Sequence, residues 1–247
     1  PMLAELVARG ELPPAEERLP LDPQIVTPLE RVGEHGGTLN VTTIRAEGYG
    51  DDTVLMGCEG LFRTDVDGSS VAPNIAKAWE FSEDGKEFTI FLREGLKWSD
   101  GAPVTADDFM FAWDAVYLNT EITPTLGKWW KPGGETIKIE KVDDFTVKVT
   151  SVVPNPELLA WGGGPIRGDN ALLPKHALMQ YHADYAKVED LTKAAKEAGF
   201  EFWYQLFNEK RRRIWGTQLN DACPTLGSHL ITERSSERRT YARNPYF

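Results

Sequence analysis

The 247-residue chain carries 27 basic against 38 acidic residues, a formal net charge of −11, with 41% hydrophobic and 26% charged residues. That length is ample for a packed core, and the composition excludes a disordered or fibrous chain. The acidic balance excludes a general nucleic-acid binder, which needs a basic stripe to displace counterions, and no apolar run approaches the roughly 20 residues that span a bilayer.

The first twenty residues are acidic and proline-rich, unlike a basic, then apolar, signal segment. Pro13, Pro14, Pro20, Pro23 and Pro28 break any long helix, so residues 1–36 read as an irregular arm. "GGTLNVTTI" (36–44) alternates like a strand entering a sheet, and the glycine- and acid-rich "RAEGYGDDT" after it reads as a loop. "VLMGCEGLF" (54–62) is expected to be helical, and Asp67-Gly68 marks a turn.

Two hairpins follow. In the first, Trp79 and Phe81 share a face, Asp84-Gly85 turns, and Phe88, Ile90 and Leu92 share a face of the return strand. In the second, Ile137 and Ile139 lead to an Asp143-Asp144 turn, and Phe145, Val147 and Val149 run back. Such alternation marks antiparallel strands with one wet face. Between the hairpins, Ser99-Asp100-Gly101 makes a turn and Thr105 caps a helix, with Asp107 and Asp108 in its first turn. Phe109, Trp113 and Val116 repeat at i, i+4 and i+7, the spacing of one apolar helix face.

"WGGGPIRGDN" (161–170) reads as a glycine loop. Residues 172–215 hold two or three helices, one stopping at Gly199, and Arg211, Arg212 and Arg213 read as a solvated helix end. The tail is expected to form two short strands around "ERSSERR".

Reactive chemistry is scarce. Cys58 and Cys223 show no metal spacing; they are either one long-range disulfide or two unrelated thiols. His176 and His182, six apart, fall on different faces of a helix and make poor co-ligands. Capping and turn formation account for Asp107-Asp108 and Asp143-Asp144, so no catalytic acid or base is assigned. No phosphate-loop, dinucleotide or nucleophile-elbow motif is present, and no metal or other cofactor is implied.

The stretch from Ala72 to Val116 resembles the N-terminal region of bacterial extracellular solute-binding proteins of family 5, the receptors of ABC importers. Trp79, Asp84, Gly85, Leu92, Arg93, Gly95, Asp100, Gly101, Thr105, Ala106 and Asp108 carry the likeness. "VDDFTVKV", "LPKHAL" and the closing "RNPYF" extend it along most of the chain. At Thr225-Leu226-Gly227-Ser228-His229 the family's usual Pro and aromatic are missing.

The resemblance implies a mixed α/β (α+β) lobe of the type II periplasmic-binding-protein kind, carrying the hairpins as a subdomain. The implied division is a 1–36 arm, a sheet-bearing part at 37–56 and 151–247, and a hairpin-and-helix subdomain at 57–150. Family members are longer, so a second lobe is expected to be absent from this chain. The implied activity is binding without catalysis, with a short peptide gripped between lobes and delivered to a membrane permease. An oligosaccharide is the closest alternative, and a secreted hydrolase or an isolated interaction module are more distant ones. A monomer in the periplasm or outside the cell is implied, with a lipid anchor as an option.

On that footing Glu47, Gly48, Tyr49 and Gly50 fall at a strand end facing the cleft, where a glycine-flanked Tyr suits close approach to an extended ligand. An ordinary surface loop accounts for them equally well. Trp129 and Trp130 are adjacent, between two lysines, and suit a cleft wall that stacks on sugars or side chains. The alternative is one indole buried and one covering its loop. Trp161 either lines the same cleft or anchors a connection.

Overall fold

The computed structural model describes residues 3–25, 27–28, 30–33, 36–42, 59–64, 68–163, 171–211, 223–235 and 237–247. Glu47, Gly48, Tyr49, Gly50 and Cys58 lie outside them. So do Arg212 and Arg213.

The two expected hairpins form and merge into one antiparallel sheet. Its strands are β3 (Ala76–Phe81), β4 (Glu87–Leu92), β5 (Lys138–Asp143) and β6 (Thr146–Thr150), in the order β3-β4-β6-β5. Register follows the apolar alternation: Phe81 opposes Phe88, Trp79 opposes Ile90, and Ile90 opposes Val147. A slip of one residue would turn Phe88, Ile90, Val147 and Val149, all buried, out to solvent. The other face is wet and charged, with Lys148 Nζ 3.3 Å from Glu87.

Two preceding strands, β1 (Phe62–Thr64) and β2 (Val71–Pro73), pair antiparallel, with Phe62 opposite Pro73. The helix expected over 54–62 therefore does not reach Phe62. The Phe62 ring meets Trp79 edge-on at 4.8 Å and Phe88 at 6.1 Å, and such tertiary contacts outweigh a local apolar pattern. The strand expected over 36–44 is likewise not formed across 36–42, where Leu39 and Val41 are exposed. Alternation supplies a face, but a strand also needs a ladder partner, and no described strand pairs with this segment.

Helices α1 (Ala4–Ala8) and α2 (Ala15–Arg18) are short, as the prolines require. The arm is tied down by backbone acceptors. Arg93 is buried and donates to Asn74 O and Asp22 O, both at 2.7 Å, and Lys97 donates to Glu17 O at 2.7 Å.

Helix α3 (Ala106–Met110) begins at Thr105, whose hydroxyl accepts from the Asp107 amide while Asp108 Oδ2 accepts from the Thr105 amide at 3.0 Å. It continues as a π-helical segment, Phe111–Tyr117, closed by Leu118 N donating to Trp113 O five residues back at 3.0 Å. The wider turn changes which side chains share a face. Phe109 and Trp113 join the sheet-side core with Trp98, while Phe111, Ala112, Ala115 and Val116 join a second core with Leu178, Leu191, Trp203 and Phe207. The helix is thus a spine between two cores, and Val116 departs from the single face its spacing predicts.

The turn before it is fixed by its neighbours. Gly101 has φ +89°, and a Cβ there would sit 2.8 Å from the Tyr246 hydroxyl, so only glycine fits. The Ser99 amide donates to Thr225 O, and the Thr225 amide donates to Ser99 Oγ, both at 3.0 Å. Asn244 is buried and donates to Gly227 O at 2.8 Å, and Arg18 hydrogen-bonds Pro245 O. The tail forms the two expected strands, β7 (His229–Arg234) and β8 (Arg239–Arg243), paired antiparallel.

Helix α4 (Glu157–Gly163) takes in Trp161, Gly162 and Gly163, so the expected glycine loop starts later than its composition suggests. Residues 164–170 lie outside the described ones. Beyond them run α5 (Lys175–Leu178), α6 (Val188–Glu197) and α7 (Trp203–Lys210), with Gly199 at φ +86° ending α6 as expected. Arg211 caps α7 half-buried, its Nε donating to Asn208 Oδ1 at 2.7 Å. No described helix is long and apolar enough to cross a membrane.

His182 is fully buried in the second core, its Nε2–H donating to Ala115 O at 2.8 Å and its Nδ1 accepting from the Asp184 amide at 3.2 Å. Burial pushes its pKa below the usual 6.5. The unfolded chain then takes up this proton first as pH falls, so stability is complete above 6.5 and declines below it. The urea midpoint is expected to drop on acidification below 6.5, and His182→Gln should flatten that part of the profile. An unchanged slope in the variant assigns the loss to other groups.

Candidate functional site

Trp129 and Trp130 sit in a short 3₁₀ turn, Lys128–Trp130, closed by the Trp130 amide donating to Gly127 O at 3.0 Å. They part company there. Trp130 is buried, its ring 5.2 Å from Trp113 and 4.9 Å from Tyr117, and its carbonyl accepts from the Ile137 amide at 2.9 Å. Trp129 is 44% exposed, with Lys128 Nζ 5.7 Å from its ring. The arrangement is the one expected if a buried indole anchors the loop, and it leaves the neighbouring indole at the surface.

A second segment closes on this turn. Ser151 N donates to Lys86 O at 2.9 Å and Asn155 N donates to Gly85 O at 3.0 Å, so residues 151–155 hang on the tip of the first hairpin. Pro156 then leads into α4, where Leu158 is buried. Trp129, Trp130, Asn155, Glu157 and Leu158 together line a shallow recess with room for about one water-sized group.

Asn155 is the unusual member. It is 7% exposed, and its side-chain Nδ2 has no hydrogen-bond partner among the described residues. A buried amide left without an acceptor costs about 1–3 kcal/mol, and folded proteins leave few such groups. The sequence reading passed over both Asn155 and Glu157. The available signal was "VPNPELL", a lone amide pinned between Pro154 and Pro156 and followed by an apolar helix start.

Of the expected contact residues, Trp129 and Trp130 are brought together with Asn155. The structure places the backbone of Trp161 in α4, and Glu47, Gly48, Tyr49 and Gly50 lie outside the described residues.

His176 and His182 do not share a site. His176 Nε2 is 2.7 Å from Asp100, whereas His182 is enclosed in the second core. Among the described residues no three His, Cys, Asp or Glu side chains converge as metal ligands do. Asp143 Oδ1 accepts from the Phe145 amide at 2.8 Å, and Asp144 pairs with Lys141 at 2.7 Å, so that acid pair serves its turn. Cys223 is buried, and its thiol lies 3.8 Å from Arg211 O.

A profile described as "Bacterial extracellular solute-binding proteins, family 5 Middle" matches residues 70–220. The chain belongs to this family. Family 5 comprises solute-binding proteins of ABC transporters, and several relatives align with more than the matched segment. The chain is 32% identical over 265 aligned residues to the periplasmic alpha-galactoside-binding protein of Rhizobium meliloti (strain 1021), covering 98% of this chain and 35% of that protein. A solved structure named oligopeptide-binding protein OppA superposes with a TM-score of 0.86 at 35% identity, covering 100% of this chain and 37% of that one. MelB, a periplasmic binding protein of Agrobacterium fabrum C58 solved with stachyose, gives 0.68 at 28% identity, covering 100% of this chain and 37% of that one. The expected mixed α/β lobe with its antiparallel hairpins is thereby borne out. The family 5 chain spans little more than a third of the length of these relatives.

Proposed function

We propose that this chain supplies one lobe of an ABC-importer receptor that grips an extended solute against a second lobe and docks, closed, on a membrane permease. Hinge closure of two rigid lobes converts solute binding into a shape that a permease distinguishes from the open form. No reactive constellation is required, and the receptor acts as a monomer in the periplasm or outside the cell, with or without a lipid anchor. The division into arm, sheet-bearing part and hairpin subdomain belongs to the same proposal. Glu47, Gly48, Tyr49, Gly50 and Trp161 stay proposed contacts beside Trp129.

The solute best supported is an oligosaccharide. The observation that carries this is the half-exposed Trp129 beside the recess, because flat apolar sugar faces stack on indole rings. The relative named for alpha-galactosides and the one solved with stachyose support the same reading. A short peptide is the second reading, favoured by the superposition on OppA.

Native mass spectrometry of the intact protein purified from its host tests both. A retained mass built of hexose units is the expected result, and one built of amino-acid residues selects the peptide. Turnover of glycoside or peptide substrates, with nothing retained, overturns the receptor reading.

A further inference from the structure

We propose that residues 12–24 of the arm are a tethered peptide ligand, seated in a backbone-reading groove that the arm of a second copy also fits. The groove stands apart from the solute site and does not depend on the receptor reading. It is built from the end of β2, the loop Glu94–Lys97 and the carbonyl of Pro245. Arg93 donates to Asp22 O and Lys97 donates to Glu17 O, both at 2.7 Å. The Leu21 amide donates back to Glu94 O at 3.0 Å. Gln24 Nε2 donates to Pro73 O at 2.9 Å, and Arg18 hydrogen-bonds Pro245 O. Each of these hydrogen bonds uses a main-chain atom of the arm or of the lobe, which is how grooves hold extended peptides. Gly95, at φ +84°, permits the close approach: a Cβ there would sit 3.2 Å from Leu21 N and 3.3 Å from Pro20 Cα.

Apolar packing adds little to this hold. Helices α1 and α2 bury no residue, and Leu12 is the one buried side chain among the described residues of the arm. Leu21 and Ile25 are 76% and 90% exposed. A segment built into a core buries its large apolar side chains, whereas this one turns them to solvent and is held through polar contacts. Such a segment opens without unfolding what it leaves.

The emptied groove selects its next occupant. Opening takes the Asp22 carbonyl away from Arg93, a buried guanidinium, so an extended chain with a carbonyl at that point is favoured. Arg93 and Lys97 also favour an acidic segment, and the arm carries Glu16, Glu17 and Asp22, with Asp22 Oδ2 3.6 Å from Arg93 Nη1. Pro13, Pro20 and Pro23 stiffen the segment and lower the entropic cost of seating it. The arm of a second copy offers all of these at the same spacing.

Fluorescence anisotropy with a labelled peptide of residues 11–25 tests the groove, using the full-length protein and the same protein lacking residues 1–25. The truncated protein is expected to bind the peptide at least tenfold more tightly than the untruncated one, whose own arm competes. In the truncated protein, Lys97→Met should weaken the peptide about tenfold and Gly95→Val should abolish binding. Leu21→Ser with Ile25→Ser in the peptide should leave affinity unchanged. No binding by a truncated protein that keeps its native circular dichroism overturns the groove, as does equal binding before and after truncation. Equal binding of a scrambled peptide of the same composition overturns the arm as its occupant. Should truncation prevent folding, hydrogen exchange at the Leu21 amide of the untruncated protein decides. Exchange faster than global unfolding is the expected result, and exchange only through global unfolding makes the arm part of the core and overturns the proposal.

Discussion

Asp108→Ala is expected to cost about 3 kcal/mol or more of stability, at about 1–3 kcal/mol for each buried donor that loses its acceptor, read as a fall in urea midpoint at unchanged m-value. The carboxylate is 4% exposed and serves three donors: Trp98 Nε1 at 3.2 Å, the Thr105 amide at 3.0 Å and the Lys175 amide at 2.9 Å. Removal takes the carboxylate acceptor away from all three, one of them on the fully buried Trp98. Burial pushes the Asp108 pKa up while those donors pull it down. The stability at stake is therefore hydrogen-bond matching rather than charge. Asp108→Asn keeps the shape but turns an NH₂ group toward at least one donor, and should cost about 1–3 kcal/mol. An alanine variant within about 1 kcal/mol of wild type contradicts this account.

Asp108 also shows what the sequence could and could not convey. Its place in the first turn of a Thr-capped helix was legible, because capping is a local event. Its second carboxylate oxygen reaches Lys175, sixty-seven residues on, and no local pattern announces that contact. The family resemblance behaves similarly. Gly85, Gly101, Thr105 and Asp108 carried it, and each supports a turn or a cap rather than a ligand. The motif that identifies the family is a motif of architecture.

The faces and turns of the hairpins were readable because period-two alternation and tight turns act between neighbours, whereas the irregularities at Ala76/Ala78 and Lys141/Asp143 were not. The β1–β2 pair was missed because Phe62 is set by contact with Trp79 and Phe88. The recess was half legible. Adjacent indoles drew attention, but which one is exposed depends on Trp113 and Tyr117, and the orphan amide of Asn155 exists only once the hairpin tip closes over it.

Trp113→Ala carries the second large effect, and it separates stability from recognition. Trp113 is 3% exposed on the π-helical segment, and Phe/Trp→Ala truncations in cores cost about 3–5 kcal/mol. Its ring lies 5.2 Å from Trp130, so the cavity opens against the residue that anchors the Trp129 turn. Stachyose affinity should fall as well, although Trp113 does not line the recess. Phe111→Ala is the control. It should cost about the same, since Phe111 is 2% exposed, but its ring faces His182, Tyr185 and Phe207 in the other core. Both variants are compared at a temperature where each is folded. Weak stachyose binding by Trp113→Ala with near-normal binding by Phe111→Ala means that the helix insulates one core from the other. Trp113→Phe, which keeps a ring against Trp130, should recover much of the lost affinity. Equal losses in the two alanine variants would instead mean that solute binding follows global stability, and the wedge around Trp130 would have no separate role.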